Sequence, residues 1–170
     1  MSTRRVFAVL GVLAVLLTGC DHSAGRDRDD PQPARPAWQP VSLPVPPGAL
    51  GRPVVRDAAA CAGRWYVVGG VIGAAGDTRP AVWVSVDASS WVSAPVAPVS
   101  FYGRQHLLSA AACRDGQLAA IGAKSGGAHG NPRTGTWRQL ADGTVAEVDA
   151  PFERYAGPRA VNVSRLAAGP

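Results

Sequence analysis

Lysine is almost missing from this chain: Lys124 stands alone beside 16 arginines. With 12 acidic residues the formal net charge is only +5, and no basic run collects the cations. Arg4 and Arg5 lie in a segment expected to be removed, which leaves +3 on the mature chain. That balance excludes an electrostatic nucleic-acid binder. Cysteine is scarce too. Cys61, Cys113, His106 and His129 have no short ligand spacing, and no pair such as C-x-x-C appears. The residues therefore call for no zinc site or other metal. No apolar run approaches the roughly 20 residues of a spanning helix; the N-terminal one, Val6 to Leu17, has 12. No stretch sustains a 3.6-residue period, which excludes a helical domain. Turn formers are plentiful instead, with 20 glycines and 15 prolines in 170 residues. They follow no Gly-X-Y period, so the chain is not collagen-like. Hydrophobic residues at 46% exclude wholesale disorder.

The N-terminus reads as an address. Arg4 and Arg5 form a cationic start, and the apolar run after them has the length of a signal h-region. It ends in Leu17-Thr18-Gly19-Cys20. This resembles the bacterial lipobox, an aliphatic residue and two small ones before Cys. The resemblance implies cleavage before Cys20, a diacylglycerol on its thiol, and further acylation such as palmitate. Two or more chains would hold the protein on a bacterial membrane, each buried methylene adding about 0.8 kcal/mol. Thr3-Arg4-Arg5-Val6-Phe7 also resembles the twin-arginine export motif, which would imply folding before export. The general secretory route is the alternative that the strongly apolar h-region favours.

Asp21 to Ala37 mixes charge with proline and has no aliphatic side chain larger than alanine. That is a solvated tether with a reach of roughly 20–25 Å. From Trp38 the pattern changes to short alternating runs between Gly, Pro, Asp and Ser, which predicts an all-β domain over 38–170. An internal repeat runs through it. Ala58-Ala59-Ala60-Cys61 recurs as Ala110-Ala111-Ala112-Cys113, Gly63 as Gly116, Gly69 as Gly122, and Trp83 as Trp137. Ala94-Pro95-Val96 recurs as Ala150-Pro151-Phe152. Each unit reads as four strands: Val54 to Cys61, Arg64 to Val71, Pro80 to Val86 and Trp91 to Val96; then His106 to Cys113, Gln117 to Lys124, Thr134 to Leu140 and Thr144 to Ala150. Asp115-Gly116 and Asp142-Gly143 are hairpin signals. Four short strands in about 50 residues is the period of a propeller blade. The expected architecture is a partial β-propeller, with blade-like repeats at 54–98 and 106–152 and a third beginning near 160. Trp38 to Pro44 is expected as a lone fourth strand, and Asn162 to Pro170 as an opening first strand. Two blades and two spare strands would be an incomplete propeller with uncovered apolar faces, prone to self-association.

Ser85-Val86-Asp87-Ala88-Ser89-Ser90-Trp91 resembles the Asp-box of sialidase-like (BNR) propellers, with Ala88 where the motif has Gly. The resemblance implies that Asp87 caps the turn before the fourth strand, that Ser85 supports it and that Trp91 packs over it. It also implies that the box stabilises the blade and lies away from any active site. The second repeat keeps only Asp142-Gly143. Kelch repeats are the alternative, since Gly69-Gly70 with Trp83 and Trp91 resembles their double Gly and paired aromatics. The Ser-x-Asp before Trp91 favours the Asp-box reading.

Chemistry is sparse. Gly69 to Gly76 imitates a dinucleotide loop but lacks the G-x-G-x-x-G spacing, and Thr78-Arg79-Pro80 after it begins a strand rather than a helix. Ser125 to Gly130 lacks the Gly-Lys-Ser/Thr of a phosphate loop. No cofactor motif remains. A sialidase-like enzyme would use several arginines, a Tyr–Glu pair and an acidic donor. Arg56, Tyr66, Tyr102, Glu147, Glu153 and Tyr155 supply the residue types, but no local context matches, so no catalytic residue is assigned. Arg56-Asp57 reads as a strand-edge ion pair, or alternatively as a pair facing a central channel. His106 reads as a surface residue at a strand start. Cys61 and Cys113 read as packing residues, with a disulfide as the alternative. They hold matching repeat positions, and rotation between blades should part their Cα atoms to about the 7 Å limit of a bridge or beyond. The expected role is a membrane-anchored extracytoplasmic binding or scaffold module for a glycan or protein ligand. The alternative is a truncated relative of a glycan-active propeller enzyme.

Overall fold

A computed structural model describes residues 33–124, 132–151, 154–155 and 163–169. The chain divides into two compact units, Met1–Gln39 and Pro40–Pro170. The expected lipobox and most of the expected tether lie outside the described residues. Described residues 33–39 of the first unit carry no strand, and Trp38 is exposed. Among the described residues all strands belong to the second unit, which is all-β with two open sheets. No helix among the described residues is long and apolar enough to cross a membrane.

The first sheet holds β1 (Arg52–Cys61), β2 (Arg64–Ile72), β3 (Thr78–Ser85) and β4 (Val92–Ala94) in sequential antiparallel order. The second holds β5 (Val96–Ala97), β6 (Leu107–Arg114), β7 (Gln117–Lys124), β8 (Arg133–Gln139) and β9 (Val145–Val148), in the order β5-β9-β8-β7-β6. The expected strand Trp91 to Val96 is thus split. Pro95 lacks an N–H and ends β4. The chain then crosses, and β5 pairs in parallel with β9 at Val96–Val145. The second sheet gains a fifth strand that a four-stranded blade would not have.

The repeat survives at the level of backbone defects. β1 is irregular between Val55 and Asp57, and β6 between Leu108 and Ala110, so Arg56 and Ser109 are the extra residues. Gly69 faces the first irregularity and Gly122 the second. A Cβ on Gly69 would strike the Val54 carbonyl, and one on Gly122 would sit 2.7 Å from the Leu108 side chain. These glycines recur because a bent strand passes too close for a side chain.

The sheets pack face to face along β1 and β6. Tyr66, Val68 and Val82 from the first sheet meet Leu108, Leu118, Ala120, Trp137 and Val145 from the second. The outer face of the first sheet carries Val67, Val71, Ala81 and Trp83. Trp83 and Trp137 are among the largest buried side chains. Truncating either to alanine would cost about 3–5 kcal/mol. Leu43 and Ala49 pack on the outer face, and Trp83 Nε1 donates to the Pro44 carbonyl at 2.7 Å. The expected lone strand over Trp38 to Pro44 therefore does not form; Leu43, Pro44 and Ala49 cover a sheet face instead of extending an edge. Residues 163–169 also form no strand, so the expected third unit has no first strand there.

Cys61 and Cys113 are bonded, with Cα atoms 5.3 Å apart. This corrects the expectation of unbridged packing residues. The two Ala-Ala-Ala-Cys runs match at an offset of 52, but the turns Ala62-Gly63 and Asp115-Gly116 match at 53. The structural counterpart of Cys113 is thus Ala60, and that of Cys61 is Arg114. A shift of one residue turns a side chain to the opposite face. Cys61 shares a face with Ala59 and Asp57, toward the second sheet, while Cys113 shares one with Ala111, toward the first. The two sulfurs meet between the sheets. Asp57 joins them in holding the seam, its Oδ2 accepting the Ala111 N–H at 2.9 Å. Arg56 is exposed, and the one ion pair among the described residues is Arg114–Asp115. The expected Arg56-Asp57 ion pair is therefore replaced by a hydrogen bond between sheets.

Candidate functional site

Antiparallel order gives the two sheets a tight end and an open end. Ala62-Gly63, Asp87 to Ser90, Asp115-Gly116 and Asp142-Gly143 turn at the tight end. The longer connections leave from the open end, including 98–106 between the sheets.

At the tight end Asp87 Oδ1 accepts the N–H groups of Ser89 at 2.9 Å and Ser90 at 2.8 Å, and the Ser85 hydroxyl at 2.9 Å. The Ser85 oxygen accepts the Asp87 N–H, and Trp91 Nε1 donates to the Ala88 carbonyl at 3.1 Å. Ser85 is buried at the base of this turn. The Ser90 and Ser89 N–H groups and the Ser85 hydroxyl hold the Asp87 carboxyl far below the usual carboxylate range. Ala88 sits at φ +58°, in the left-handed region. In the second sheet Asp142 Oδ1 accepts the Thr144 N–H at 2.9 Å, and its turn has Gly143 at φ +85°. The Thr144 backbone and hydroxyl lower the Asp142 carboxyl. Every one of these contacts is spent on a turn.

The open end holds two hollows. The larger, about 900 Å³, lies between the start of β3, the end of β4, the Pro46–Ala49 segment and the loop through Phe101 and Gln105. Arg79, Arg104 and Asp77 are its charged residues, and prolines dominate the rest. The smaller, about 300 Å³, is lined by Tyr102, His106, Arg133, Glu147 and Tyr155, among others.

Glu147 organises the wall between them. Its Oε2 accepts the N–H groups of Val99 at 2.7 Å and Ser100 at 2.8 Å, and its Oε1 accepts the Ser100 hydroxyl at 2.6 Å. The Ser100 oxygen in turn accepts the Gly103 N–H at 2.7 Å, at the start of a short 3₁₀ helix, Gly103–Gln105. Burial alone would raise the Glu147 carboxyl, but the Ser100 and Val99 donors and nearby His106 outweigh it and lower it. Three donors commit this carboxylate to the loop and make it a clamp on it.

His106 is 2% exposed, which corrects its reading as a surface residue. Trp137 Nε1 donates to its Nδ1 at 3.2 Å, so the neutral ring carries its proton on Nε2. Burial lowers its pKa; Glu147 and the Arg133 backbone oppose this without overcoming it. The ring is a neutral cap on a buried indole.

The residue types of a sialidase-like centre are scattered. Tyr66 accepts the Gln139 side-chain N–H between the sheets, and Arg56 projects from the bulge in β1. Tyr102, Glu147 and Tyr155 do line one hollow, with the Arg133 guanidinium 5.4 Å from the Tyr102 ring centre. Glu153, His129, Cys20 and His22 lie outside the described residues. No group of three or more His, Cys, Asp or Glu is gathered for a metal among the described residues. Sequence reasoning missed Arg79, Phe101 and Arg104. Their signal was weak: two arginines in a region where prolines interrupt every run.

No known family model matches this chain. No curated protein and no solved structure matches it either.

Proposed function

We propose that this chain is a lipid-anchored extracytoplasmic protein of a bacterial membrane, held through Cys20. Its two sheets act as a propeller-like binding or scaffold module that meets its ligand at the open end. The observation that carries the reading is the placement of the 900 Å³ cleft at the end opposite the Asp-box-like turn. That division of labour follows the sialidase-like resemblance, in which the box stabilises and the other end binds. The Cys61–Cys113 bridge supports an oxidising compartment outside the cytoplasm. Ser85-x-Asp87 with Trp91 supports the propeller kinship, while the fifth strand of the second sheet departs from it. The alternative, a relative of glycan-active propeller enzymes, has less support: Glu147 is committed to Ser100 and Val99.

The anchor is tested by Cys20→Ser. The variant is expected to leave the membrane fraction and to lose the acyl mass that the parent carries. A variant that fractionates like the parent, with no acyl mass on either, overturns the lipoprotein reading. The binding role is tested on glycan and peptide arrays. Turnover of an aryl glycoside, abolished by Glu147→Gln, would overturn it in favour of the enzyme.

A further inference from the structure

We propose that the larger cleft binds an acidic peptide in extended form, laid along the free edge of β3 and held by Arg79 and Arg104. This deepens the binding-module reading and rests on it.

The first support is an incomplete strand pair. β3 runs Thr78–Ser85, but β4 pairs with it only at Val82 to Val84, because Pro95 sends the chain to the other sheet. On its inner side β3 pairs with β2 throughout, including Thr78–Ile72 and Pro80–Gly70. No strand covers the outer side of Thr78 to Ala81, and the cleft lies there. An uncovered strand edge is a template for an added strand. Pro80 donates no N–H, which suits an outer position and leaves its carbonyl as the acceptor.

The second support is charge. Arg79 Nη1 donates to the Gly48 carbonyl and Arg104 Nη1 to the Ser100 carbonyl, both at 3.1 Å. Each guanidinium carries five N–H donors, so one backbone bond fixes it and leaves most of the fork for a ligand. Neither is ion-paired, since the one ion pair among the described residues is Arg114–Asp115. Asp77 is the single carboxylate in the lining, and it folds back on its own loop: a Cβ on Gly73 would overlap its oxygens. Two cations therefore face one carboxylate, and that carboxylate lies over Gly73. The third support is the wall. Phe101 is 70% exposed at the rim, and Pro46 and Pro98 line the cleft with it. The Thr78 hydroxyl donates to the Gln105 carbonyl, tying the β3 wall to the loop wall before any ligand arrives. Main-chain groups spaced along a strand edge, with apolar walls, favour a peptide over a sugar. The guanidiniums favour carboxylate side chains, which they meet in bidentate geometry.

The test uses the full chain in detergent and a fluorescein-labelled peptide alternating valine and glutamate, read by anisotropy. Its glutamine counterpart is the control. The glutamate peptide is expected to bind at least about tenfold tighter than the glutamine one, and to weaken between about 50 and 300 mM NaCl. Arg104→Gln, which leaves the Gly48 anchor intact, should cost about tenfold, and Arg79→Gln a similar factor. Equal affinity for both peptides, or binding unchanged in Arg104→Gln, overturns the inference and leaves the binding-module reading standing. Failure of both peptides while an acidic glycan binds has the same consequence. Failure of peptides and glycans alike removes the binding-module reading as well.

Discussion

The bridge between the sheets can be removed or misplaced by one residue, and the two perturbations test the same register argument. Cys61 and Cys113 are 52 residues apart in sequence. In the chain-entropy picture, closing a loop of that length in the unfolded state contributes about 4 kcal/mol. The native seam does not depend on the bond alone. The Asp57–Ala111 hydrogen bond and the shared core of Tyr66, Val68, Leu118 and Trp137 also span it. The paired variant Cys61→Ala with Cys113→Ala should therefore stay folded but lose about 2–4 kcal/mol. Guanidinium unfolding followed by tryptophan fluorescence reads this, because Trp83 and Trp137 are buried. The second variant moves the thiol instead, Ala60→Cys with Cys61→Ala. Position 60 is exposed on the face turned away from the second sheet. That variant should carry two free thiols by non-reducing mass and show the same loss. A bridge to Cys113 in the shifted variant, or a loss under about 1 kcal/mol in the paired one, would refute the assignment of faces.

Ala88→Gly should stabilise. An L-residue in the left-handed region costs about 1–2 kcal/mol, and the added freedom of the unfolded glycine returns about half of that. The net is a rise in melting temperature of about 2–4 °C, read by circular dichroism; a fall would contradict the turn geometry. Stability should also fall in two stages as pH drops. The folded His106 pKa lies below 6.5, so its contribution is complete above 6.5 and is lost as pH falls from there through the folded value. Glu147 is lowered from 4.5, so its contribution is present above 4.5 and is lost at more acid pH. His106→Asn should flatten the first stage of a melting-temperature profile and leave the second. An unaltered first stage would remove His106 as its cause.

Much of the candidate site was invisible in the sequence for identifiable reasons. Glu147 reads as an ordinary polar residue on a half-buried strand, and its partners Val99 and Ser100 lie in a loop with no periodic signal. His106 occupies the residue before β6, where exposure is the usual outcome; only the indole of Trp137 makes a dry site for it. Arg79 and Arg104 come together because the Thr78 hydroxyl reaches the Gln105 carbonyl, a contact between distant segments. The Asp-box-like turn, by contrast, was legible as a unit, since Ser85, Asp87 and Trp91 bond only within seven residues of chain.

By itself the sequence determined what neighbouring residues decide among themselves. Alternation placed the long strands to within about two residues, the usual fraying of element ends. The Asp-Gly pairs set hairpin turns, and Gly69 and Gly122 recur at matching positions, where the structure brings bent strands too close for a side chain. Tertiary structure decided which face each strand turns inward relative to its neighbour. One residue of register separates two matching cysteines on equivalent faces from a bonded pair. It also decided that Pro95 sends the chain to the second sheet, and so where β3 is left without a partner. Sheet-to-sheet packing compares side chains that lie far apart along the chain, and a local pattern carries no record of which of two faces they will share.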